Sequence, residues 1–186
     1  TANLDIVDID GAVDMASTLQ VDGAITSSSA ATITVADNSY TLTLLSTDTD
    51  ASSGPNIRLK RDSSSPADDD FTGIIYFQAE NDAGEETDYQ RITTRIRDAS
   101  DGSEDGQLTL SSMVAGTLRN RLEFNEGEAV FNDDSVDVNF RVESDGNANM
   151  LFVDGGNDRL GIGTATPAFT FDLQKSLSES YSASGR

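Results

Sequence analysis

The chain has 186 residues, of which 36% are hydrophobic and 6% aromatic, so it can form one or two small domains but supplies little apolar surface for a core of its own. It contains no cysteine and no histidine, which excludes disulfides, thiol nucleophiles and the commonest general base and metal ligand. Its formal net charge of −21 opposes binding to nucleic acid, and no apolar run approaches the ~20 residues of a membrane helix, so neither nucleic-acid binding nor membrane insertion is expected.

Residues 1–45 contain a weak internal repeat and form the first predicted region. The stretches 9–13 (IDGAV) and 21–25 (VDGAI) align at an offset of 12 residues, and 33–35 (ITV) follows at the next interval. Short strands separated by glycine at a constant spacing are typical of a triple β-helix or β-prism. An extended linker with two hairpins is the alternative interpretation. A further strand is predicted over 40–45.

Residues 46–131 are predicted to form a β-sandwich-like module. In 71–78 apolar residues occur on both faces, as in a strand that is covered on both sides. In the next strand Ile92, Thr94 and Ile96 alternate with arginines. Strands are predicted at 57–60, 71–78, 89–97, 107–110 and 117–124, and polar loops at 48–56, 62–70, 81–86, 98–105 and 125–128.

Residues 132–175 are predicted to form a C-terminal intertwined shaft of short strands. Apolar residues alternate from Val136 onward, resume near Phe152 after a turn (SDGN), and resume at Leu160 after a second turn (GGND). Strands of about five residues bury little, and three of them cannot seal a core alone. We therefore expect neighbouring copies of the chain to complete this region. The final stretch, 176–186, has no clear period and is predicted to be a tail.

A glycine-rich motif lies near the end of the shaft region. Residues 161–167 (GIGTATP) are preceded by 152–154 (FVD) and followed by 171–173 (FDL). This arrangement resembles a segment found near the C-terminal ends of bacteriophage tail fibres and related fibrous virion proteins. The resemblance implies a trimeric, β-rich shaft, often followed by an intramolecular chaperone domain that cleaves itself away. Glycines without a Cβ fit three chains that converge on an axis, with Pro167 ending a strand; a plain β-turn is the alternative.

The middle region carries a second resemblance. Its loops at 48–51, 54–55, 61–70 and 101–106 are rich in aspartate, serine and glycine. They are similar to a module that recurs in fibre proteins of marine bacteriophages. Together with the glycine-rich motif, this similarity covers about two thirds of the chain.

Three acidic loops are candidate sites for a hard cation such as Ca²⁺ or Mg²⁺, which prefers carboxylate oxygens. The candidate ligands are Asp48 and Asp50, then Asp68, Asp69 and Asp70, then Asp101, Glu104 and Asp105. None of the loops has the twelve-residue spacing of an EF-hand. Solvated turns are one interpretation, and a cation that bridges the chains of a highly charged trimer is the other. No other cofactor is predicted.

The basic residues are concentrated in the middle of the chain. Eight of the twelve lie within 58–121, whereas 1–57 contains none. Because a guanidinium binds carboxylates bidentately, we expect this basic row to pair with the Asp-rich loops of the same or the next chain. The row consists of Arg91, Arg95 and Arg97, with Arg58, Lys60, Arg61, Arg119 and Arg121. A site for an acidic host glycan is the functional alternative.

No catalytic constellation is visible in the sequence. There is no nucleophile elbow of the Gly-x-Ser-x-Gly type, and the 33 acidic residues lie mainly in polar loops. Cleavage of a glycan needs two carboxylates that flank a sugar bond. Phage tailspikes that do this usually carry them on a long grooved β-helix, for which this chain is too short. We therefore expect no enzymatic activity and no catalytic residues.

Taken together, these patterns and resemblances predict an all-β, elongated homotrimeric fibre. Its shaft segments would be similar to a triple β-helix or β-prism, with a sandwich-like module at the centre. The resemblance implies a structural virion protein, a bacteriophage tail or capsid fibre that helps the particle attach to its host. Its partners would be further copies, other virion proteins at the N-terminus and a host-surface glycan. A bacterial surface adhesin or surface-layer subunit, and a glycan-cleaving tailspike, are the alternatives.

Overall fold

A computed structural model describes residues 13, 15, 18–52 and 54–174. The chain divides into two compact units, Thr1–Asn56 and Ile57–Arg186. In the described residues the secondary structure consists of nine β-strands in two sheets, without a helix. The predicted all-β class is therefore confirmed. The described residues include no helix that is long and apolar enough to cross a membrane.

The described residues of the first unit form bends and segments without regular secondary structure. The strand predicted at 40–45 is not formed, and Tyr40 and Leu45 are largely exposed. The repeat copies at 21–25 and 33–35 likewise pair with no strand among the described residues. The physical reason is that a short strand gains little until a neighbouring strand satisfies its backbone groups and covers its apolar face. Two predicted segments lie outside the described residues: 9–12 and 176–186.

The regular structure of the second unit begins with a five-stranded antiparallel meander. Its strands are β1 (Phe71–Glu80), β2 (Glu86–Asp98), β3 (Asp105–Val114), β4 (Thr117–Phe124) and β5 (Ala129–Phe131). Each strand pairs with the one before it in the sequence, so the predicted loops at 81–86, 98–105 and 125–128 are confirmed as hairpin connections. The strand predicted at 57–60 is not formed.

Side chains and backbone preferences fix the hairpin turns. The Asn81 side-chain oxygen accepts hydrogen bonds from the amides of Ala83 and Glu85, which closes the turn between β1 and β2. Ala115 and Gly116 both have positive φ, 46° and 79°, as a two-residue type I′ turn between β3 and β4 requires. These local interactions set the register in which the strands meet.

The second sheet has four strands. They are β6 (Phe140–Ser144), β7 (Asn147–Asp154), β8 (Arg159–Ile162) and β9 (Phe171–Leu173). The first three are antiparallel neighbours, joined by the two predicted turns, and β9 runs parallel to β8. The alternation that starts at Val136 becomes a strand only at Phe140, because Asn132 binds both backbone groups of Val136 and turns the chain there.

The glycine-rich motif forms the tight connection between β8 and β9. Gly163 has a φ of 78°, and a Cβ added there would overlap the carbonyl oxygen of Gln174. A Cβ on Gly161 would lie 2.6 Å from the carbonyl oxygen of Thr164. Close packing within one chain therefore explains these glycines without invoking three converging chains. Pro167 lies in the loop after Ile162 rather than at the end of a strand, which corrects the sequence-based expectation.

One face of each sheet carries a cross-strand row of apolar side chains. Residues that lie directly opposite each other on neighbouring strands share a face of the sheet. The register aligns one apolar residue from each of the nine strands, and these residues are termed the apolar row: Ile75, Ile92, Leu110, Leu122, Phe131, Phe140, Val153, Leu160 and Phe171.

The described residues of the second unit cover the apolar row only in part. In the described residues only one large apolar side chain is buried, Phe152 at 8% exposure, and it lies on the opposite face of β7. Ile75, Phe131 and Phe171 of the row are between 42% and 60% exposed. The first sheet is thus a single layer, which differs from the sandwich-like module predicted for 46–131, because no described residues supply the facing sheet.

Candidate functional site

The face of the first sheet opposite the apolar row is polar and is termed the polar face. Its residues alternate along β2, β3 and β4 with the residues of the apolar face. Nine side chains line a cavity of about 210 Å³ on this face: Arg91, Thr93, Arg95, Arg97, Gln107, Thr109, Ser111, Asn120 and Glu123. Three guanidinium groups therefore meet on one surface of a chain whose net charge is −21.

Small side chains form the floor of the polar face. Thr93, Thr109, Ser111 and Glu123 are between 2% and 9% exposed, although the sheet is a single layer. Thr93 lies opposite Thr109, and Thr109 lies opposite Glu123, so three of them form a cross-strand line. Longer side chains on the same face cover them, because arginine lays its apolar stem along a surface and keeps its charged head near water. The polar face is therefore a partly enclosed surface.

Two of its arginines are held by an acidic loop of the same chain. Arg95 Nη1 lies 3.6 Å from Asp69 Oδ1, and Arg97 Nη1 pairs with the same oxygen. Backbone hydrogen bonds from Asp69 N to Ile96 O, at 2.8 Å, and from Ile96 N to Asp70 O, at 2.9 Å, anchor the loop beside β2. The prediction that the basic row pairs with Asp-rich loops is confirmed for Arg95 and Arg97.

Donors on the inner side of the polar face lack partners. Among the residues that the structure describes, buried Arg91 Nε, Arg95 Nε and Thr93 Oγ1 make no hydrogen bond. Arg91 also forms no ion pair with a carboxylate in that part of the chain. A buried polar group without a partner costs about 1–3 kcal/mol, so this surface is chemically suited to acceptor atoms supplied from outside.

Aromatic side chains of β1 flank the arginines. The register pairs Phe71 with Arg95 and Tyr76 with Arg91. The guanidinium carbon of Arg95 lies 4.5 Å from the centre of the Phe71 ring, within the range of a cation–π contact. Tyr76 is 48% exposed, so its ring remains accessible beside Arg91 at the edge of the sheet.

The carboxylates predicted as metal candidates serve mainly to close their own loops. Asp68 Oδ1 accepts a hydrogen bond from Ala99 N at 2.9 Å, and Asp70 pairs with Arg61 at 2.9 Å and accepts from Ala67 N at 3.1 Å. The remaining candidates are exposed: Asp48 and Asp50 in the first unit, Asp101 and Glu104 between β2 and β3, and Asp105 at the start of β3. No three potential metal ligands come together within the described ranges.

Two exposed aspartates are ionised more readily than usual. Hydrogen bonds from the hydroxyl and the amide of Ser100 lower the pKa of Asp98, and Ser39 lowers the pKa of Asp37 in the same way. Both are local turns in which a carboxylate accepts from the residue two positions on. Because both pKa values are lowered, neither carboxyl holds a proton that it could donate as a general acid near pH 7.

The sequence predicted the arginines of the polar face and one residue of its floor, because Thr93 alternates with the apolar residues of β2 as Arg91 and Arg95 do. Thr109 and Ser111 come from another strand, and they join the site only through a register that is set by hairpin geometry.

Comparisons with protein families, with curated proteins and with solved structures give no match to this chain. The functional assignment therefore depends on the glycine-rich motif and on the two contrasting faces of the first sheet. One face is apolar and partly exposed, and the other is polar and rich in arginine.

Proposed function

We propose that the chain is a structural protein of a bacteriophage virion, a homotrimeric fibre of the tail or capsid that projects from the particle and contributes to attachment to the host. The observation that carries the proposal is the partly exposed apolar row, which includes one residue from every described strand of the second unit. The resemblance of residues 161–167 and their flanks to phage fibre segments supports the trimeric form of the assembly.

The apolar row makes a lone chain unfavourable in water. Burial of one Val, Leu, Ile or Phe side chain contributes about 1.5–3 kcal/mol, and the row offers one such side chain in each strand. Soluble monomers rarely expose a contiguous apolar surface that is much larger than a few hundred Å². Assembly through this face would supply the second layer that the single sheet lacks.

Further copies of the same chain fit the apolar row better than an unrelated partner. Each copy offers an identical row at identical strand spacing, so copies related by a rotation axis would pack row against row. Such a closed arrangement leaves the polar faces outward. A trimer would carry 3 × 21 = 63 negative charges, which keep it soluble at its outer surface.

The first unit supports the same assembly. Its described apolar residues Ile33, Leu42 and Leu44 are exposed and form no strand within the chain. Pairing between copies would satisfy their backbone groups and would turn the 12-residue repeat into a triple β-helix or β-prism. In this proposal the N-terminal region also contacts other virion proteins.

Native mass spectrometry tests the assembly directly. A trimer of 19.7 kDa chains has a mass of 3 × 19.7 = 59.1 kDa, and it should persist at micromolar concentration. A 19.7 kDa species that unfolds cooperatively would contradict the proposal.

Immunogold labelling tests the location. Antibodies against the purified chain should label appendages of phage particles, and the purified fibre should compete with particles for adsorption to host cells. Labelling of a bacterial surface in the absence of particles would favour the adhesin alternative instead.

A further inference from the structure

We infer that the polar face binds an acidic sugar, a glycan residue that carries a carboxylate or sulfate group. The inference rests on the proposed function, because the polar face remains accessible when the copies associate through the apolar row on the other side of the sheet. It deepens that proposal by naming the binding surface and the chemistry of its ligand.

The charge of the polar face favours an anion. Arg91, Arg95 and Arg97 contribute three positive charges, and Glu123 inside the cavity and Asp69 at its edge contribute two negative ones. The sum, 3 − 2 = +1, contrasts with −21 for the whole chain. An oxyanion that is repelled by most of this acidic surface is therefore attracted here.

Arg91 is the cation that can reach a ligand without giving up a partner. Arg95 and Arg97 already share Asp69, whereas Arg91 has no ion pair among the described residues and its buried Nε has no hydrogen-bond partner there. A guanidinium binds a carboxylate or sulfate through two parallel hydrogen bonds, which gives both strength and orientation.

Thr93 supplies a second donor on the same face. It is only 6% exposed, yet its hydroxyl makes no hydrogen bond within the described part of the chain. Thr93 and Arg91 are two residues apart on β2, so their side chains lie on the same side of the strand. One oxyanion that enters when the covering side chains swing aside would pair with both groups, which have no partner among the described residues.

The rest of the lining suits a sugar better than a bare ion. Ser111, Thr109, Asn120 and Gln107 offer both donors and acceptors, as sugar hydroxyls require. Because the cavity draws its lining from three strands, it extends beyond the space between Arg91 and Thr93. The half-exposed Tyr76 ring at the edge strand offers a flat apolar surface for the C–H face of a pyranose.

Calorimetric titration of the assembled full-length chain tests the site. The probes are polygalacturonate, which carries carboxylates, heparin, which carries sulfates, and neutral dextran, all at about 0.15 M ionic strength. We expect binding to at least one acidic polymer and none to dextran, and the preferred polymer identifies the charged group.

Two substitutions locate the site. Arg91→Gln should weaken binding about tenfold or more, because a bidentate ion pair is lost. Thr93→Val should also weaken binding, and it should leave the stability of the unliganded protein unchanged or higher because its buried hydroxyl has no partner in the described residues. The matched control is Arg141→Gln, which removes the same charge from the second sheet, where Arg141 pairs with Glu143. It should change the affinity for the acidic polymer by less than about twofold.

Failure of the site and failure of the assembly give different results. Absence of binding to both acidic polymers, or equal weakening by Arg91→Gln and Arg141→Gln, overturns the glycan site. Dissociation of the assembly by Arg91→Gln also overturns it, because Arg91 would then pair with a carboxylate of a neighbouring copy. A wild-type monomer that still binds the acidic polymer keeps the site and rejects the trimer.

Discussion

The rings of Phe131 and Phe140 lie with their centroids 4.6 Å apart and their planes inclined at 42°, and this contact joins the two sheets of the second unit. Phe131 ends the apolar row of the first sheet, and Phe140 begins that of the second. Tilted aromatic pairs at this distance are favourable. The apolar row is therefore continuous from β1 to β9, although the backbone ladder is interrupted between β5 and β6.

Replacement of Ile92 tests whether the apolar row is an interface. Ile92→Thr puts a hydroxyl within the row. The free energy of assembly should fall by about 2 kcal/mol for each chain, or roughly 6 kcal/mol for a trimer. Urea titration followed by light scattering should show dissociation at a lower denaturant concentration. The matched control is Val130→Thr, because Val130 lies opposite Glu123 on the other face of the same sheet. Equal losses from both substitutions would argue against a buried row.

Replacement of Gly163 tests the packing of the glycine-rich motif. Gly163→Ala adds a Cβ against the carbonyl oxygen of Gln174 at a φ of 78°, so we expect a loss of about 2–3 kcal/mol in the free energy of unfolding. Gly146→Ala is the control, since a Cβ there would meet nothing within 4 Å and its φ is not positive. If the two variants unfold alike, the close packing described for the motif is not what requires glycine.

The period-two pattern predicted the faces of the strands correctly. Along β2 it separated Ile92 and Ile96 from Arg91 and Arg95, because alternation is a property of extended backbone whatever the strand pairs with. Clusters of Asn, Asp and Gly likewise marked the hairpins, because these residues adopt turn conformations at low cost.

The pattern does not show which segment or which copy of the chain packs against a predicted strand. The alternation in 40–45 predicts a strand, yet no segment among the described residues pairs with it. The pattern also could not predict which residues of neighbouring strands lie opposite each other in the apolar row. Strand register depends on turn length and on irregularities such as the shift between Leu110 and Ser111. For the same reason the sequence predicted only the β2 residues of the polar face and not those that β3 and β4 contribute.

The turn between β3 and β4 offers a stabilising substitution. Ala115 has a φ of 46°, a region that costs an alanine about 1–2 kcal/mol and that asparagine tolerates better. Ala115→Asn should therefore raise the free energy of unfolding by about 0.5–1 kcal/mol in a urea titration, because Asn-Gly is the preferred type I′ pair. Ala83→Asn, in the loop between β1 and β2, is the control and should give no gain, because its φ is not positive. A gain of equal size at both positions would mean that backbone strain at Ala115 is not the cause.

The loop between β2 and β3 should respond to acid through Asp98. Its folded pKa is lowered by the hydroxyl and amide of Ser100, whereas the unfolded value is about 3.9. Because the shift is downward, the hydrogen-bonded turn contributes stability above about pH 4 and loses it as the pH falls through the folded pKa. Carbon NMR of the Asp98 carboxyl in the intact protein should give a lower midpoint than in a peptide of residues 98–100. Ser100→Ala should move that midpoint back toward the peptide value, since the hydroxyl is the largest contributor; an unchanged midpoint would show that the amide alone sets the shift.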